Sequence, residues 1–296
     1  MASSPTLKPL TLLLFALAAL AGWRWWVAAG LPLSVDEAYY FSWSRTPDWG
    51  YWTKPPLIAW AIGAADVVCG PTSACVRSVG VLAFTVSALL VYALSRLMAM
   101  PTGLAATASL CFATLPLATF YGLAASTDSM LLLCWVAAMV SLWIALNGKP
   151  WGWIGLGLFG GLGLLAKYSM AVLGPCVILA LLHPSWRHHW RRPGPYLAIV
   201  IALALFAPNL WWNFTHGLPT LQHTADISRG SAYEPELERM LVFWSEQWVI
   251  GNLVLVGAYV LWALRGSDRY TPRGWFLWSM SDRKSTRLNS SHTDIS

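Results

Sequence analysis

Two adjacent carboxylates, Asp36 and Glu37, open an aromatic segment that follows a long apolar run. A carboxylate held beside a hydroxyl group can act as a general base, and aromatic rings next to it can pack against a sugar or a lipid. The simpler interpretation is an interfacial helix capped by Ser34, since acidic residues are favoured in a first helical turn. The helical i, i+3, i+4 and i+7 spacing would place on one face Asp36, Tyr39, Tyr40 and Trp43. Spacing alone supports the two interpretations equally.

Three charged residues farther along the chain could meet this acidic pair. Lys54 stands before a Pro-Pro pair, and it would either bind a phosphate group or extend to lipid headgroups. Asp128 follows a Ser-Thr pair at the start of an apolar run, where a helix N-cap is the simple explanation. Lys167, next to Tyr168, lies between two apolar runs with no acidic residue close in sequence. An unpaired lysine there would suit an anionic ligand or a lipid phosphate.

The segment WWNFTHGLPTLQHTADISRGSAY adds His216, His223, Asp226 and Arg229. Two histidines and an aspartate can ligate a metal, but their separations of seven and then three residues fit no specific metal motif. We therefore predict no metal ligands in this segment. Arg229 is a further cation that could neutralise a phosphate group.

The composition places these residues in a membrane protein. Of the 296 residues, 57% are hydrophobic and 11% are charged, against about 25% charged in an average soluble domain. Apolar runs of about 20 residues, the length that crosses a bilayer as a helix, recur along the chain. Backbone groups in lipid must be bonded within their own segment, so the predicted fold is all-α, a polytopic bundle of transmembrane helices.

The apolar runs predict eight spans, at 10–29, 78–98, 101–120, 129–146, 151–166, 169–183, 195–213 and 240–264. A further run, 57–69, is short for a crossing and follows the Pro-Pro pair, so it either lies at the membrane surface or re-enters the membrane. The prediction is therefore a bundle of about eight or nine spans with surface helices in the first outer loop.

The distribution of charge predicts the orientation of the bundle. Cytoplasmic loops are enriched in Lys and Arg, and a cytoplasmic N-terminus places on the inner side Lys8, Arg96, Lys149, Arg187, Arg191, Arg192, Arg265, Arg269 and Arg273. The acidic pair, Lys54, Asp128 and Lys167 then share the outer side. The net charge of +6 follows from this topology and from contact with anionic membrane lipids, so it does not indicate nucleic-acid binding.

Residues 1–280 are predicted to form one transmembrane domain. The apolar pattern then stops abruptly, and we expect 281–296 (SDRKSTRLNSSHTDIS) to be foreign or disordered sequence that replaces the rest of a longer native protein. Cys69 and Cys75 flank GPTSA on the outer side, where a disulfide is one alternative. The other cysteines are expected as packing residues inside spans: Cys111, Cys134 and Cys176.

Four motifs, taken in order, resemble one group of membrane enzymes. They are DEAYYFSWSRTPDWGYWTKPPLIAW, STDSMLLL, LLAKYSM and NLWWNFTHGLPTLQHTAD, and the similarity extends from about residue 5 to residue 264. The chain resembles the bacterial glycosyltransferase families 39 and 83, which include protein O-mannosyltransferase-like enzymes and the lipid A aminoarabinose transferases. Each motif is weak alone, and their shared order makes the resemblance specific.

This resemblance implies a GT-C fold in the bacterial inner membrane, with the active site on the periplasmic side. The implied donor is a polyprenyl-phosphate sugar, and the acceptor is a lipid A or other glycolipid, a polysaccharide or a protein. By resemblance, Asp36 is the catalytic carboxylate, Lys54 binds the donor phosphate, and Asp128 is the second acidic position of the family pattern. A single base suffices for such a displacement, because phosphate is already a good leaving group.

The remaining residues have supporting roles in this hypothesis. Glu37 would orient the loop or the acceptor, and Lys167 and Arg229 would stabilise the departing phosphate. Further site candidates are the aromatic and polar residues Tyr39, Tyr40, Trp43, Trp52, Tyr168, His223 and Asp226. The aromatic members would stack on a sugar or line a groove for lipid.

One position departs from the pattern of the aminoarabinose transferases. In those enzymes an acidic residue precedes Lys-Pro-Pro and takes part in metal binding, whereas Thr53 stands there in this chain. Thr53 argues against a divalent metal held in that way and against transfer of that particular sugar. No cofactor is therefore assigned, and a divalent metal remains an alternative that Thr53 disfavours.

Two alternatives to a glycolipid-directed transferase remain at the level of sequence. A protein O-mannosyltransferase would use the same residues and differ in its acceptor. A transporter or flippase of a lipid-linked intermediate would show charged residues at mid-span and helices broken near the membrane centre, whereas the acidic residues here cluster on one side. A non-catalytic membrane scaffold would have no need of that cluster.

Overall fold

The computed structural model describes residues 7–230 and 271–280, with side chains up to Asp226 in the first range. Within these residues every regular element is helical, as the apolar runs predict. The helices are α1 (Leu7–Ala29), α2 (Val35–Ser44), α3 (Leu57–Cys69), α4 (Ser73–Leu97), α5 (Thr102–Ala113), α6 (Pro116–Tyr121), α7 (Thr127–Leu146), α8 (Trp151–Ala166), α9 (Leu173–Leu181), α10 (Gly194–Thr215), α11 (Pro219–Gly230) and α12 (Pro272–Met280). Two 3-10 helices cover Tyr168–Val172 and Arg187–Arg191.

The long helices run up and down in one bundle. Helix α4 packs on α1, α5 and α7, and α8 lies between α7 and α10. Close approach of α8 to α10 requires a glycine at 157, because a Cβ there would lie 2.6 Å from the carbonyl oxygen of Ala198. This alternation brings the ends of α1, α8 and α10 to one end of the bundle together with the starts of α4 and α7.

The two ends of the bundle differ in charge. The acidic end, as we name it, comprises 30–56, 66–77, 122–128, 167–168 and 216–226, and it contains all of the candidate site residues whose side chains are described. The basic end is opposite and holds Lys8, Arg96, Lys149 and the helix Arg187–Arg191. The predicted segregation of charge is therefore present in the fold of the described residues.

Two short helices of the first long loop cover the acidic end. Helix α2 begins at the predicted cap, where Ser34 and Glu37 form a reciprocal capping box. Helix α3 packs against α2 and α4, and the apolar core beneath the pair includes Tyr40, Ile58 and Ile62. A disulfide joins Cys69 at the end of α3 to Cys75 in the first turn of α4, which settles the alternative left open by the sequence.

Four of the described helices are long and apolar enough to cross a membrane: α1, α4, α7 and α10. The runs predicted at 57–69, 101–120, 151–166 and 169–183 contain only shorter apolar helices. The predicted count of eight or nine spans is thus not established by helix length. The predicted span 240–264 and the segment 281–296 lie outside the described residues.

Two of the predicted spans are not single continuous α-helices in the structure. The run 101–120 divides into α5 and α6 because Pro116 lacks an N–H and forces the preceding Leu115 into an extended conformation, with ψ of 140°. The run 169–183 begins as a 3-10 helix and becomes α-helical only at Leu173. Hydropathy identifies an apolar segment but not where its hydrogen bonding changes.

Candidate active site at the acidic end

The centre of the acidic end is a buried ion pair between Glu37 and Arg77. Arg77 donates from Nε to Oε1 of Glu37 at 2.9 Å and from Nη2 to Oε2 at 2.7 Å. Arg77 and Glu37 are 5% and 1% exposed. This two-point geometry is the strong form of an arginine–carboxylate contact.

The same ion pair joins four segments of the chain. Arg77 also donates to the carbonyl oxygens of Ala28, Leu31 and Pro32 at the end of α1. Glu37 accepts hydrogen bonds from the backbone N–H groups of Ser34 (2.8 Å) and Ala125 (3.0 Å). Burial alone would raise the pKa of Glu37, but its hydrogen bonds with Arg77 and the two backbone N–H groups hold that pKa below the ordinary value.

This geometry limits the role of Glu37. Both carboxylate oxygens are engaged inside the protein, so Glu37 has no free acceptor atom to offer a substrate. Of the two roles expected from the sequence, orienting the loop fits the structure and orienting the acceptor does not. Glu37 is thus placed to fix α2, while its neighbour Asp36 on the first turn of α2 is exposed.

The charges of Asp36 and Asp128 both act on one tyrosine, Tyr40. Burial raises the pKa of the Tyr40 phenol, and the negative charges of Asp36 and Asp128 raise it further, whereas a hydrogen bond with Thr127 acts in the opposite direction. The two carboxylates come from α2 and the first turn of α7, where Ser126 is the N-cap. The structure thus brings the first acidic motif and the second motif together.

Asp128 and Lys167 form an ion pair, with 2.7 Å between Oδ1 and Nζ. The expectation that Lys167 is unpaired is wrong, because the start of α7 and the end of α8 lie side by side although 39 residues separate the two charges. The side chains are 30% and 16% exposed, respectively, so the pair borders solvent and Lys167 keeps donors for an anion.

Lys54 lies close to this pair. Burial lowers the pKa of Lys54, the positive charge of Lys167 lowers it further, and the carboxylates of Asp128 and Asp36 oppose both effects. Among the described residues no carboxylate is within ion-pair distance of Lys54. Two lysines and two carboxylates from four segments therefore form one cluster, which we name the charged cluster: Asp36, Lys54, Asp128 and Lys167.

The loop that carries Lys54 is held by α10 and α11. Asn209 Nδ2 donates to the carbonyl oxygen of Trp49 at 2.6 Å, and Thr220 Oγ1 donates to that of Tyr51 at 2.6 Å. Trp212 Nε1 donates to Oδ2 of Asp48 at 2.7 Å. The Trp212 ring also covers Gly50, where any Cβ would collide with the indole.

Tyr168 belongs to the same polar network. Its hydroxyl donates to Oδ1 of Asn209 at 2.9 Å and accepts from Nδ2 of Asn213 at 3.1 Å. Asn209 and Asn213 are fully buried. Tyr168 was predicted as a site residue, and the structure shows it supporting the side chain that binds the first loop.

The predicted aromatic face of α2 is only partly available to a ligand. Tyr40 and Trp43 are 4% and 8% exposed, and Trp43 stacks on Tyr51 with 4.5 Å between ring centroids. Tyr40 and Trp43 form part of the core under α2, so in this structure neither ring presents an open face to a sugar. Tyr39 and Trp52 are exposed at 42% and 67%.

Helix α11 brings the last predicted residues to this end. His223 is half-buried, burial and the charge of Lys54 lower its pKa, and Asp226 opposes them. Asp226 is exposed. Arg229 lies in α11, but its side chain is outside the described part of the structure.

An apolar cavity of about 350 Å³ opens beside Tyr168. Its walls come from the end of α8, the following 3-10 helix, α10 and α11, with the lining residues Leu164, Tyr168, Ala171, Phe206, Leu221, Thr224 and Ala225. The wall from α11 flanks His223, and the wall from α8 precedes Lys167. The cavity is thus lined by Tyr168, which follows Lys167 directly in the chain.

The donor set at this end does not fit a metal. Thr53 stands before Lys54, and in the described residues no three His, Cys, Asp or Glu side chains converge as they would around a metal ion. Asp128 is already paired with Lys167. We therefore derive no step through a metal.

Several residues of this site were missed at the level of sequence, among them Arg77, Asn209 and Thr220. Arg77 gives a usable signal, because an arginine inside an apolar helix is costly unless it is paired. Asn209 has a similar signal, since Asn209 and Asn213 are four residues apart in an apolar run and so share one helix face. Thr220 gives none, because a threonine in a helical turn is common.

The helical bundle, with four helices long and apolar enough to cross a membrane, defines a multi-pass membrane protein. Residues 53–212 match the family described as Dolichyl-phosphate-mannose-protein mannosyltransferase. The chain belongs to this family.

Individual relatives agree with this membership. The chain is 32% identical over 234 residues to the lipid A galacturonosyltransferase RgtD of Rhizobium johnstonii, covering 78% of this chain and 48% of that protein. It is 31% identical over 171 residues to the undecaprenyl phosphate-alpha-4-amino-4-deoxy-L-arabinose arabinosyl transferase of Pseudomonas aeruginosa, covering 56% and 31% respectively. This chain therefore spans half or less of the length of these curated relatives.

A solved structure shares the fold. The apo crystal structure of ArnT from Cupriavidus metallidurans matches with a TM-score of 0.68 and 16% sequence identity, covering 93% of this chain and 56% of that chain. At this identity the likeness shows the GT-C architecture and not the activity.

Proposed function

We propose that this protein is an inverting glycosyltransferase that moves a sugar from a polyprenyl-phosphate donor to a glycolipid acceptor of the lipid A type. The observation that carries the proposal is the charged cluster, in which the exposed carboxylate of Asp36 acts on Lys54, and Lys54 in turn is affected by the Asp128–Lys167 ion pair. The names of the two relatives support the acceptor class and the type of donor.

In the proposed reaction Asp36 takes the proton from an acceptor hydroxyl as its oxygen attacks the anomeric carbon of the sugar. The bond between that carbon and the phosphate oxygen breaks on the opposite face, and the polyprenyl phosphate leaves with the electron pair. Asp36 is suited to this role because it is exposed while Glu37 and Asp128 are committed to ion pairs. A positioned base contributes about 10²–10⁴-fold to such a rate.

Lys54 and Lys167 stabilise the negative charge that develops on the leaving phosphate. Lys54 has no carboxylate partner among the described residues, and Lys167 presents its remaining donors beside Asp128. Preorganised cations of this kind act where charge appears in the transition state. The apolar cavity next to Tyr168 offers a place for the first isoprene units of the donor.

We place the acidic end in the periplasm and the protein in a bacterial inner membrane. The lysines and arginines of the basic end support this orientation, since cytoplasmic loops are the positively charged ones. The disulfide at the acidic end also supports it, because disulfides persist in the periplasm and are rare in the cytosol.

A protein acceptor is the second candidate, and the description of the matching family favours it. The two are separated by deleting the gene, complementing it, and comparing lipid A and periplasmic glycoproteins by mass spectrometry. We expect a hexose- or pentose-sized mass to disappear from the lipid A fraction and return on complementation. Loss from protein alone would reverse the assignment of the acceptor. Accumulation of the lipid-linked sugar on the cytoplasmic side would indicate a transporter.

A further inference from the structure

We propose that Thr220, at the start of α11, is a positioning residue for the donor phosphate and acts through Lys54. This inference rests on the proposed function, because it takes the phosphate of a polyprenyl-phosphate sugar as the ligand of Lys54. Thr220 itself touches no substrate in this proposal. Its side chain sets where the backbone of the first loop presents the lysine.

The first step of the argument is the bond that Thr220 makes. Its side chain is fully buried, and Oγ1 donates to the carbonyl oxygen of Tyr51 at 2.6 Å, across 169 residues of sequence. Buried polar groups in proteins are bonded, and a hydroxyl that binds a distant backbone carbonyl fixes that backbone. Several other threonine hydroxyls of the described helices bind a carbonyl of their own helix, as Thr107 does with Gly103.

The second step leads from Tyr51 to Lys54. The N–H of Tyr51 donates to the carbonyl oxygen of Lys54 at 3.2 Å, which closes a tight turn over residues 51–54. The Tyr51 ring is held in turn by stacking on Trp43 at 4.5 Å. Tyr51 thus accepts a hydrogen bond from Thr220 at its carbonyl oxygen and donates one from its amide to Lys54.

The third step concerns what else depends on α11. His223 lies one helical turn after Thr220 in α11. The charge of Lys54 lowers the pKa of His223, so α11 interacts with Lys54 as well as with the loop that carries it. Leu221, Thr224 and Ala225 of α11 form one wall of the apolar cavity. The bond from Thr220 to Tyr51 therefore joins the wall of the cavity to the turn that carries the cation.

This arrangement fits one class of ligand. A polyprenyl phosphate has an anionic headgroup beside an apolar chain, and it needs a cation and an apolar wall at a fixed separation. Thr220 sets that separation, because the cation lies on the first loop and the wall on α11. Affinity falls when such groups are not held in place beforehand.

The test is a double-mutant cycle on binding of undecaprenyl phosphate to the protein in lipid nanodiscs. Thr220→Val keeps the shape and removes the hydroxyl, whereas Thr220→Ser keeps the hydroxyl. We expect Thr220→Val to weaken binding of undecaprenyl phosphate about 10-fold, equivalent to about 1.4 kcal/mol. Thr220→Ser should bind it with an affinity within about 2-fold of the wild type. Thr107→Val, which loses a hydroxyl bonded only within α5, is the matched control and leaves binding unchanged.

The cycle with Lys54→Ala separates positioning from general support of the fold. If Thr220 acts through Lys54, then adding Thr220→Val to Lys54→Ala weakens phosphate binding no further, although the melting temperature still falls. Additive losses of binding would overturn the inference, and so would full binding by Thr220→Val alone. If Lys54→Ala itself binds undecaprenyl phosphate normally, the donor site of the proposed function fails and this inference fails with it.

Discussion

Arg77 lies 40 residues after Glu37 in the chain, and its guanidinium meets both oxygens of that carboxylate at 2.9 and 2.7 Å inside the bundle. The contact joins the end of α1, the start of α2, α4 and the segment before α7. Asp36 lies next to Glu37 at the start of α2, and Asp128 lies three residues after Ala125, whose N–H binds Glu37. The relative position of Asp36 and Asp128 therefore depends on an ion pair that is buried inside the bundle.

Replacing Glu37 by Gln should destabilise the protein at neutral pH. Loss of one partner of a buried ion pair costs about 3–5 kcal/mol, so we expect a lower melting temperature at pH 7. The folded-state pKa of Glu37 is lowered, so its stabilisation is complete above the ordinary carboxyl value of 4.5 and is lost as the pH falls through the lower folded-state pKa. The melting temperatures of wild type and Glu37→Gln should converge in acid. A gap that stays constant with pH would contradict the assignment.

Asp36→Asn should abolish most transfer activity and leave the fold intact. Asp36 is exposed and makes no ion pair within the described residues, so its charge contributes little to stability. We expect a rate reduction of about 10²–10⁴-fold with an unchanged melting temperature. The matched control is Asp66→Asn, which removes a carboxylate paired with Arg45 at the same end of the bundle. Full activity of Asp36→Asn, or equal losses in the two variants, would remove Asp36 as the base.

Binding of the donor phosphate should weaken in alkaline solution earlier than an ordinary lysine predicts. The pKa of Lys54 lies below its usual 10.5, and an anion binds the protonated form, so affinity is complete below the lowered pKa and is lost as the pH rises through it. Above pH of about 7 the phosphate charge is constant, because its second pKa is about 6. Affinity for undecaprenyl phosphate measured from about pH 7 to pH 10 reports the titration.

Lys54→Arg provides the control for this titration, because a guanidinium stays charged throughout that range. We expect its pH profile to be flat where that of the wild type falls. Identical profiles for the two proteins would mean that another group titrates, and Lys54 would lose its assignment to the phosphate.

The sequence predicts local structure at this site better than it predicts contacts. Helix α8 was expected at 151–166 and is observed over Trp151–Ala166, and Ser34 and Ser126 cap their helices as expected. These features depend on apolar patterning and on side chains a few residues from their partners. The pairing of Lys167 with Asp128 depends on the relative direction of two helices, which no local pattern contains. The burial of Tyr40 and Trp43 depends on where α3 packs against α2, and that is also a tertiary fact.

Gly50→Ala should reduce donor binding without touching the charged cluster. The new Cβ would collide with the Trp212 indole, so either the loop or the ring must move, and the turn with Lys54 follows the loop. Overpacking of this kind costs about 1–3 kcal/mol, and we expect a lower melting temperature together with weaker binding of undecaprenyl phosphate. Gly22→Ala is the control, because nothing lies within 4 Å of a Cβ built there. Equal behaviour of the two variants would show that Trp212 does not constrain the loop.

The disulfide between Cys69 and Cys75 provides a direct test of orientation. If the acidic end is periplasmic, a membrane-impermeant maleimide should label these cysteines in spheroplasts only after reduction, because the oxidised pair has no thiol to react. Ser185→Cys supplies an exposed thiol at the basic end, and it should react only in inverted vesicles. Labelling of Cys69 and Cys75 in inverted vesicles and not in spheroplasts would mean that this end faces the cytoplasm. In that case the proposed acceptor would be wrong as well, since the charged cluster and the disulfide lie on the same side of the bundle.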